Sequence, residues 1–598
     1  MTADRPSFEA ELVALGERTT ALLGKSFLHR LDELAGQSFT VTPPDGLQRS
    51  FGELGLRLLA DPHRVAEAQA RLWRDSFALW HNVLQSRREG RLKPLFPTPA
   101  GDRRFKDRAW SEEPGWTYLQ QSYFLMGHWL MRLVDDTELD ADTKRRVRFY
   151  TRQYLSAMAP SNFPLTNPEV VRRARETEGR SLLDGLRHFL DDLERGDGHL
   201  RIRTTDEAAF ALGDNIAATP GKVVYRNELM ELIQYAPSTA TVHRRPLLLV
   251  PPWINKFYIL DLQEKNSFVK YAVDQGFTVF LISWVNPTAE LAARRFEDYL
   301  RAGPLAALAA IEQATGEREV NVLGFCIGGI LTAALLSHLA ATGDDRVTAA
   351  TFLATLFDFT DVGEIGVFVD ERQVAAMERH TARTGFLEGR HMADMFSMLR
   401  ENDLIWSFFV NNYLLGRTPA PFDLLYWNGD ATRLPAAMLS DYLRAFYLDN
   451  ALARPGTLTL LDTPIDTRRV TVPTYALATK EDHIAPWPSC LPVTGQFRGP
   501  VRFVLGGSGH IAGVINPPSR GKYGYWTRPD DAPPAADTDA WLADATRHEG
   551  SWWPDWAAWL AAHAGDPVPA RDPTRGGLAP LADAPGTYVR MRADTATG

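Results

Sequence analysis

The sequence predicts an α/β fold, a parallel sheet crossed by helices, preceded by a helical domain, and three observations carry that reading. Short apolar or β-branched runs alternate with helical stretches from about residue 245 to about 507. The roughly 200 residues before them are amphipathic at helical spacing and nearly free of strand signals. Finally, the chain has 598 residues and is 45% hydrophobic, whereas a single core stops growing at roughly 250–300 residues. At least two folding units are therefore expected.

In chain order, the helical region runs from about residue 7 to 200, with RVAEAQARLWRDSFALWHNVLQ and TKRRVRFYTRQYLSAM as its clearest amphipathic segments. The stretch ERGDGHLRIRTTDEAAFALGDNIAATPGK is rich in turn-forming Gly, Asp and Thr, which puts a boundary near 205. After it, RPLLLVPP, TVFLISW, EVNVLGF, VTAATFLAT, VPTYALAT and VRFVLGG each read as a buried strand. Strands separated by helical stretches require parallel crossovers and a doubly wound sheet. Between about 357 and 455 the alternation fails, in an aromatic, helical stretch too long for a plain loop. An inserted lid is expected there. The last segment, 566–598, is rich in Ala, Pro, Gly and Asp and is expected to be extended. The division is thus 1–205 helical, 206–565 α/β with a lid at 357–455, and 566–598 a tail. No internal repeat is present.

Composition excludes several classes. A net charge of -9 leaves no global basic field for a nucleic-acid backbone. Two cysteines cannot staple a protein of this size and suit a reducing compartment. The start, MTADRPSFEAELVAL, lacks a basic-then-apolar leader, and no run of about 18 apolar residues predicts a spanning helix. A soluble cytoplasmic protein is expected, although 16 Trp leave room for contact with an apolar surface.

The chemistry concentrates at Gly324-Phe325-Cys326-Ile327-Gly328-Gly329, between the apolar run EVNVL and the helical run ILTAALLSHLAA. A nucleophile on a sharp strand-to-helix turn needs neighbours without bulk two residues away, and Gly324 and Gly328 meet that need. The following helix would lower the thiol pKa through its dipole and offer the Ile327 N–H to an oxyanion. A thiolate needs a base, and in α/β-hydrolases the acid and then the histidine follow later strands. Asp482 lies just past VPTYALAT and His510 past VRFVLGG, so the order Cys326, Asp482, His510 fits that fold. Glu481 and His483 compete with Asp482 for the inward position. Cys490 has no flanking glycines and reads as a core or surface thiol. A second oxyanion N–H is expected from Pro252-Trp253-Ile254, with Trp253 as the donor; a Pro-stiffened turn would give the same letters. No metal ligand set and no cofactor motif is apparent.

PPWINKFYILDLQ, TVFLISWVNP, LGFCIGG, NDLIWSFFVNNYL, PFDLLYWNGDATRLP, KEDHIAPW, SGHIAGVINPP and EGSWWPDWAAWL occur in one order and resemble class I polyhydroxyalkanoate synthases. The likeness extends from about residue 100 to 560. It implies an α/β-hydrolase domain with a mobile lid, activation as a homodimer, and residence on polyester granules. It also implies a 3-hydroxyacyl-CoA substrate of about three to five carbons, an acylated Cys326, His510 as base and Asp482 as triad acid. Met398 and Glu401 depart from the commoner FSFLRPNDL. On this reading Trp427 and Tyr447 line the acyl or CoA path, Arg400 meets a CoA phosphate, and Ala512, two residues past His510, bounds the acyl pocket. Core packing for the aromatics and a solvated Arg400 are the plain alternatives. A cysteine-dependent thioesterase would share the triad. A non-enzymatic granule coat protein would share the amphipathic N-terminus.

Overall fold

In the computed structural model, which describes residues 8–34, 39–41, 44–89, 92–99, 101–529, 533–535 and 537–593, all six apolar runs lie side by side. The strands of the main sheet are β1 (Gly221–Arg226), β2 (Met230–Tyr235), β3 (Leu247–Val250), β4 (Val279–Trp284), β5 (Val320–Phe325), β6 (Val347–Leu353), β7 (Thr474–Thr479), β8 (Val501–Gly506), β9 (Tyr525–Thr527), β10 (Thr546–His548) and β11 (Ala582–Asp583). Their spatial order is β10-β9-β8-β7-β6-β5-β3-β4-β2-β1-β11. Strands β4, β3, β5, β6, β7 and β8 pair in parallel, and the flanking strands pair antiparallel. Continuous apolar runs are what a parallel strand buried on both faces requires, and β3, β4, β5 and β7 are buried at every position. Phe268 packs on one side against Trp552, Trp553 and Trp556 in the main core.

Strand β2 is less legible because MELIQY carries Glu231 and Gln234, yet all six residues are buried. The C-terminal segment explains how. Thr587 and Tyr588 donate backbone N–H groups to Glu231 at 2.9 and 3.0 Å, and Arg226 and the Thr587 hydroxyl complete its shell. The tail expected to be merely extended therefore docks: β11 pairs with β1, Val589 is buried, and its carbonyl accepts from the Lys256 ammonium at 2.6 Å. Removing the partners of a buried charge costs about 3–5 kcal/mol, so Glu231 is tolerable in β2 only with those donors in place.

The chain divides into two units, Met1–Asp206 with Asp394–Ala420, and Glu207–Ala393 with Pro421–Gly598. The first is helical: α1 (Phe8–Leu34), α2 (Pro44–Ala60), α3 (Pro62–Glu89), α4 (Pro114–Asp136), α5 (Ala141–Ala157), α6 (Pro168–Glu176) and α7 (Arg180–Arg195). Asp140 and Asn167 cap α5 and α6 by accepting from N–H groups of the first turn. The expected insertion at 357–455 does not fold as one piece, since 394–420 belongs to this helical unit. Its apolar residues Leu414 and Leu415 pack with Val170, and the Tyr413 hydroxyl donates to Asp192 at 2.8 Å. The fit is close enough to require glycine: a Cβ on Gly185 would stand 1.9 Å from the Tyr413 carbonyl oxygen. Glu401 is buried here and accepts from the Ser156 hydroxyl at 2.9 Å. The backbone carbonyl of Met398 accepts from Gln153 at 2.9 Å.

Candidate active site

Cys326 stands between β5 and the helix α8 (Ile327–Thr342), with φ 53° and ψ −120°. Positive φ is rare for a residue with a Cβ and costs of order 1–3 kcal/mol, so its surroundings must hold it. The Cys326 N–H donates to Leu353 at 2.9 Å, and its carbonyl accepts from Gly329 and Ile330 at 2.9 and 3.2 Å. The flanking glycines are spaces into which other backbone is packed. A Cβ on Gly328 would lie 2.2 Å from the Val250 oxygen and 2.7 Å from that of Pro251, and one on Gly324 would lie 2.6 Å from Gly329 Cα. The elbow is thus wedged against the end of β3. Cys326 remains partly exposed, and Ile327, as the first residue of α8, has an N–H with no partner inside the helix.

Asp482 follows β7 and His510 follows β8, both buried. His510 Nδ1 and Asp482 Oδ2 are 2.7 Å apart. Oδ1 accepts from the Ile484 and Ala485 N–H groups at 2.8 Å each, and Oδ2 also accepts from the Thr479 hydroxyl at 3.1 Å. Burial would raise the Asp482 pKa, but the charge and hydrogen bond of His510 and the two backbone donors hold it below the ordinary carboxylate value. Burial likewise pulls His510 down, yet the charges of Asp482 and Cys326 and hydrogen bonds to both raise it to about 10. The imidazole therefore meets the carboxylate at Nδ1 and lies within electrostatic reach of the thiol. Its ring stacks on Phe325 at 5.6 Å. Glu481 is exposed and His483 half-buried, so Asp482 takes the inward position.

Trp253 is buried on the loop after β3, and its carbonyl accepts from Thr432 Oγ1 at 2.7 Å. The same hydroxyl accepts from the Asn255 N–H at 3.0 Å. Trp427 is buried in the main core, and its indole N–H donates to the Lys256 carbonyl at 2.7 Å. It braces the loop that carries Trp253 and Asn255. Tyr447 lies near enough to Cys326 for the thiol's charge to add to the burial that raises the phenol pKa. Tyr442 shares both influences and is a neighbour that sequence reading missed, because one tyrosine in a helical aromatic stretch has no distinguishing signal. Thr479 was missed as well; a threonine ending a strand gives no hint of its hydrogen bond to the acid. Arg400 belongs to the helical unit, half-exposed and paired with Asp403 at 2.6 Å. Ala512 is half-buried. Cys490 is buried, with its thiol pKa raised far above the ordinary value by burial first and then by the charges of Asp482 and Cys326.

A family model described as Poly-beta-hydroxybutyrate polymerase (PhaC) N-terminus matches residues 101–272, and one described as alpha/beta hydrolase fold matches residues 245–517. A poly(3-hydroxyalkanoate) polymerase of Methylorubrum extorquens is 48% identical over 92% of this chain and 90% of its own length. A poly(3-hydroxyalkanoate) polymerase subunit PhaC of Rhizobium meliloti is 46% identical over the same shares. A namesake of Cupriavidus necator is 44% identical over 92% of this chain and 93% of its own.

Proposed function

Because the chain belongs to the PhaC polyhydroxyalkanoate synthase family and so is an acyltransferase that makes polyester, we propose that it does so through an acyl-thioester on Cys326, with His510 as base and Asp482 as the acid that orients it. The observation that carries this reading is the convergence of the three side chains at the ends of β5, β7 and β8, with His510 Nδ1 2.7 Å from Asp482 Oδ2 and the imidazole within the electrostatic reach of the Cys326 thiol.

His510 takes the thiol proton, and the sulfur attacks the thioester carbonyl of 3-hydroxybutyryl-CoA. The oxyanion is met by the Ile327 N–H and a second N–H at Trp253. CoA leaves with the proton that His510 held, and one thioester has replaced another at little net energy change. The 3-hydroxyl of a further acyl unit, giving its proton to His510, then attacks the acyl-enzyme carbonyl. An ester forms, the carbon–sulfur bond breaks, and the Cys326 sulfur takes the proton back. Water must be kept from the acyl-enzyme, a task for the apolar surroundings of Cys326, with Tyr442, Tyr447 and Ala512 as wall. Residence at granule surfaces and a homodimeric state complete the reading. On α3, Trp73, Phe77 and Trp80 are 58%, 64% and 55% exposed, an apolar stripe suited to a polyester surface.

No helix among the described residues is long and apolar enough to cross a membrane. The test is incubation of purified protein with 3-hydroxybutyryl-CoA while CoA release and polymer are followed together. CoA release matched by polymer supports the mechanism, whereas free 3-hydroxybutyrate would make the chemistry that of a thioesterase.

A further inference from the structure

Away from Cys326, three potential metal ligands of the α/β unit converge where sequence spacing gives no sign of a site. His380 lies in the last turns of α9 (Glu371–Thr384). The chain then turns at Gly385 and runs through a two-residue strand, Phe386–Leu387, paired with Leu434–Pro435. Glu388 follows directly, and His391 lies in the first turn of α10 (Gly389–Leu399). His380 Nε2 is 2.8 Å and His391 Nε2 3.5 Å from the same oxygen, Glu388 Oε2. The two rings are nearly perpendicular, with centroids 5.8 Å apart. The three donor atoms all lie within 4.8 Å of one another, and both histidines are more than nine-tenths buried.

We propose that His380, Glu388 and His391 bind one divalent transition-metal ion of the zinc class, as a cross-link at the root of the segment that leaves the α/β unit at Asp394. Donors bound about 2.0–2.2 Å from one tetrahedral ion lie about 3.3–3.6 Å from each other, close to the separations already present. Two imidazoles and one carboxylate suit zinc and its first-row neighbours and do not suit the oxygen-seeking Mg2+ or Ca2+. The set carries one negative charge when both rings are neutral, so the Glu388 carboxylate offsets half the charge of an M2+ ion. Water would fill the fourth position, reached from the half-exposed side of Glu388.

The ion ties the end of α9 to the start of α10 across the short strand. That start is fixed tightly to the next layer, since a Cβ on Gly389 would stand 2.8 Å from the Thr432 carbonyl oxygen. Thr432 in turn holds the Trp253 and Asn255 backbone. The cross-link therefore steadies a run of structure that ends at the loop beside Cys326. Its role is structural, and none of the three ligands takes part in the acyl transfer.

The test uses untagged full-length protein, stripped with a chelator and titrated with Co2+, whose visible absorption reports tetrahedral nitrogen and oxygen ligation. One equivalent should saturate the band, Zn2+ should displace it, and Zn2+ at a hundredfold over its Kd should raise the melting temperature by a few degrees. Glu388→Gln and His391→Asn should each lose the band, and Cys326→Ala should keep it. Zinc K-edge absorption of the wild type, which needs no variant to fold, should count two imidazoles and no sulfur. Absence of a saturable band, its survival in both ligand variants, its loss in Cys326→Ala, or a sulfur neighbour at about 2.3 Å would each overturn the proposal.

Discussion

Replacing Asp482 by Asn tests the triad with the least disturbance to the fold. The carboxylate accepts four hydrogen bonds, and the asparagine carbonyl can keep the two from Ile484 and Ala485. The amide nitrogen then faces the Thr479 hydroxyl and His510 Nδ1. As a donor it forces Nδ1 to accept, so the neutral imidazole carries its proton on Nε2, the nitrogen that must receive one from the thiol or the hydroxyl. The charge is lost as well. His510 is raised from 6.5 to about 10 by Asp482 first and Cys326 second, against burial, a difference of about 5 kcal/mol at 1.36 kcal/mol per pKa unit. If Asp482 supplies about two-fifths to four-fifths of it, its loss removes about 2–4 kcal/mol, or about thirty- to a thousandfold in turnover. A thiol is far more acidic than an alcohol, so acylation should fall less than elongation. Rapid quench with radiolabelled 3-hydroxybutyryl-CoA should therefore show a small burst of CoA and label held on short covalent species. Equal losses in both steps would mean that Asp482 only orients His510. Wild-type turnover would refute the assignment, because Glu481, the neighbouring acid, is exposed.

Gly328→Ala puts a methyl 2.2 Å from the Val250 oxygen and 2.7 Å from that of Pro251; both are backbone, so relief costs about 1–3 kcal/mol or more. A melting temperature lowered by several degrees and slow thiol acylation are expected, and unchanged values would refute the wedged elbow. Alkylation should modify one thiol per chain, Cys326, because burial holds Cys490 protonated; mass spectrometry of the Cys326→Ala protein should find almost no label. A chain beginning at Glu207 should aggregate or lose most activity, because residues 394–420 would expose Tyr413, Leu414 and Leu415; a monodisperse, fully active product would contradict the two-unit division. Glu378 is held at about 2 by hydrogen bonds from Arg444 and Ser440 and the nearby arginines, against burial. Its folded pKa lies below its ordinary 4.5, so its stabilisation is complete above about 4.5 and vanishes as pH falls toward 2. The melting difference between wild type and Glu378→Gln should close across that window, and a pH-independent gap would refute the pairing.

By itself the sequence determined the parallel centre of the sheet, because strands buried on both faces must be apolar throughout and thereby announce themselves. It also determined where a nucleophile would stand, since only glycine fits beside a strained elbow packed on a neighbouring strand, and the order of Cys326, Asp482 and His510 follows from strand order. Tertiary structure decided the rest. Which of Glu481, Asp482 and His483 turns inward depends on the backbone N–H groups of Ile484 and Ala485 that capture one carboxylate. Strand β2 and the tail were hidden from pattern reading because each satisfies the other: a buried Glu231 is tolerable only once Thr587 and Tyr588 arrive from more than 350 residues away. The split of the 357–455 segment, and the meeting of His380, Glu388 and His391, likewise depend on which apolar faces find each other when the chain closes, and a one-dimensional pattern does not encode those distances.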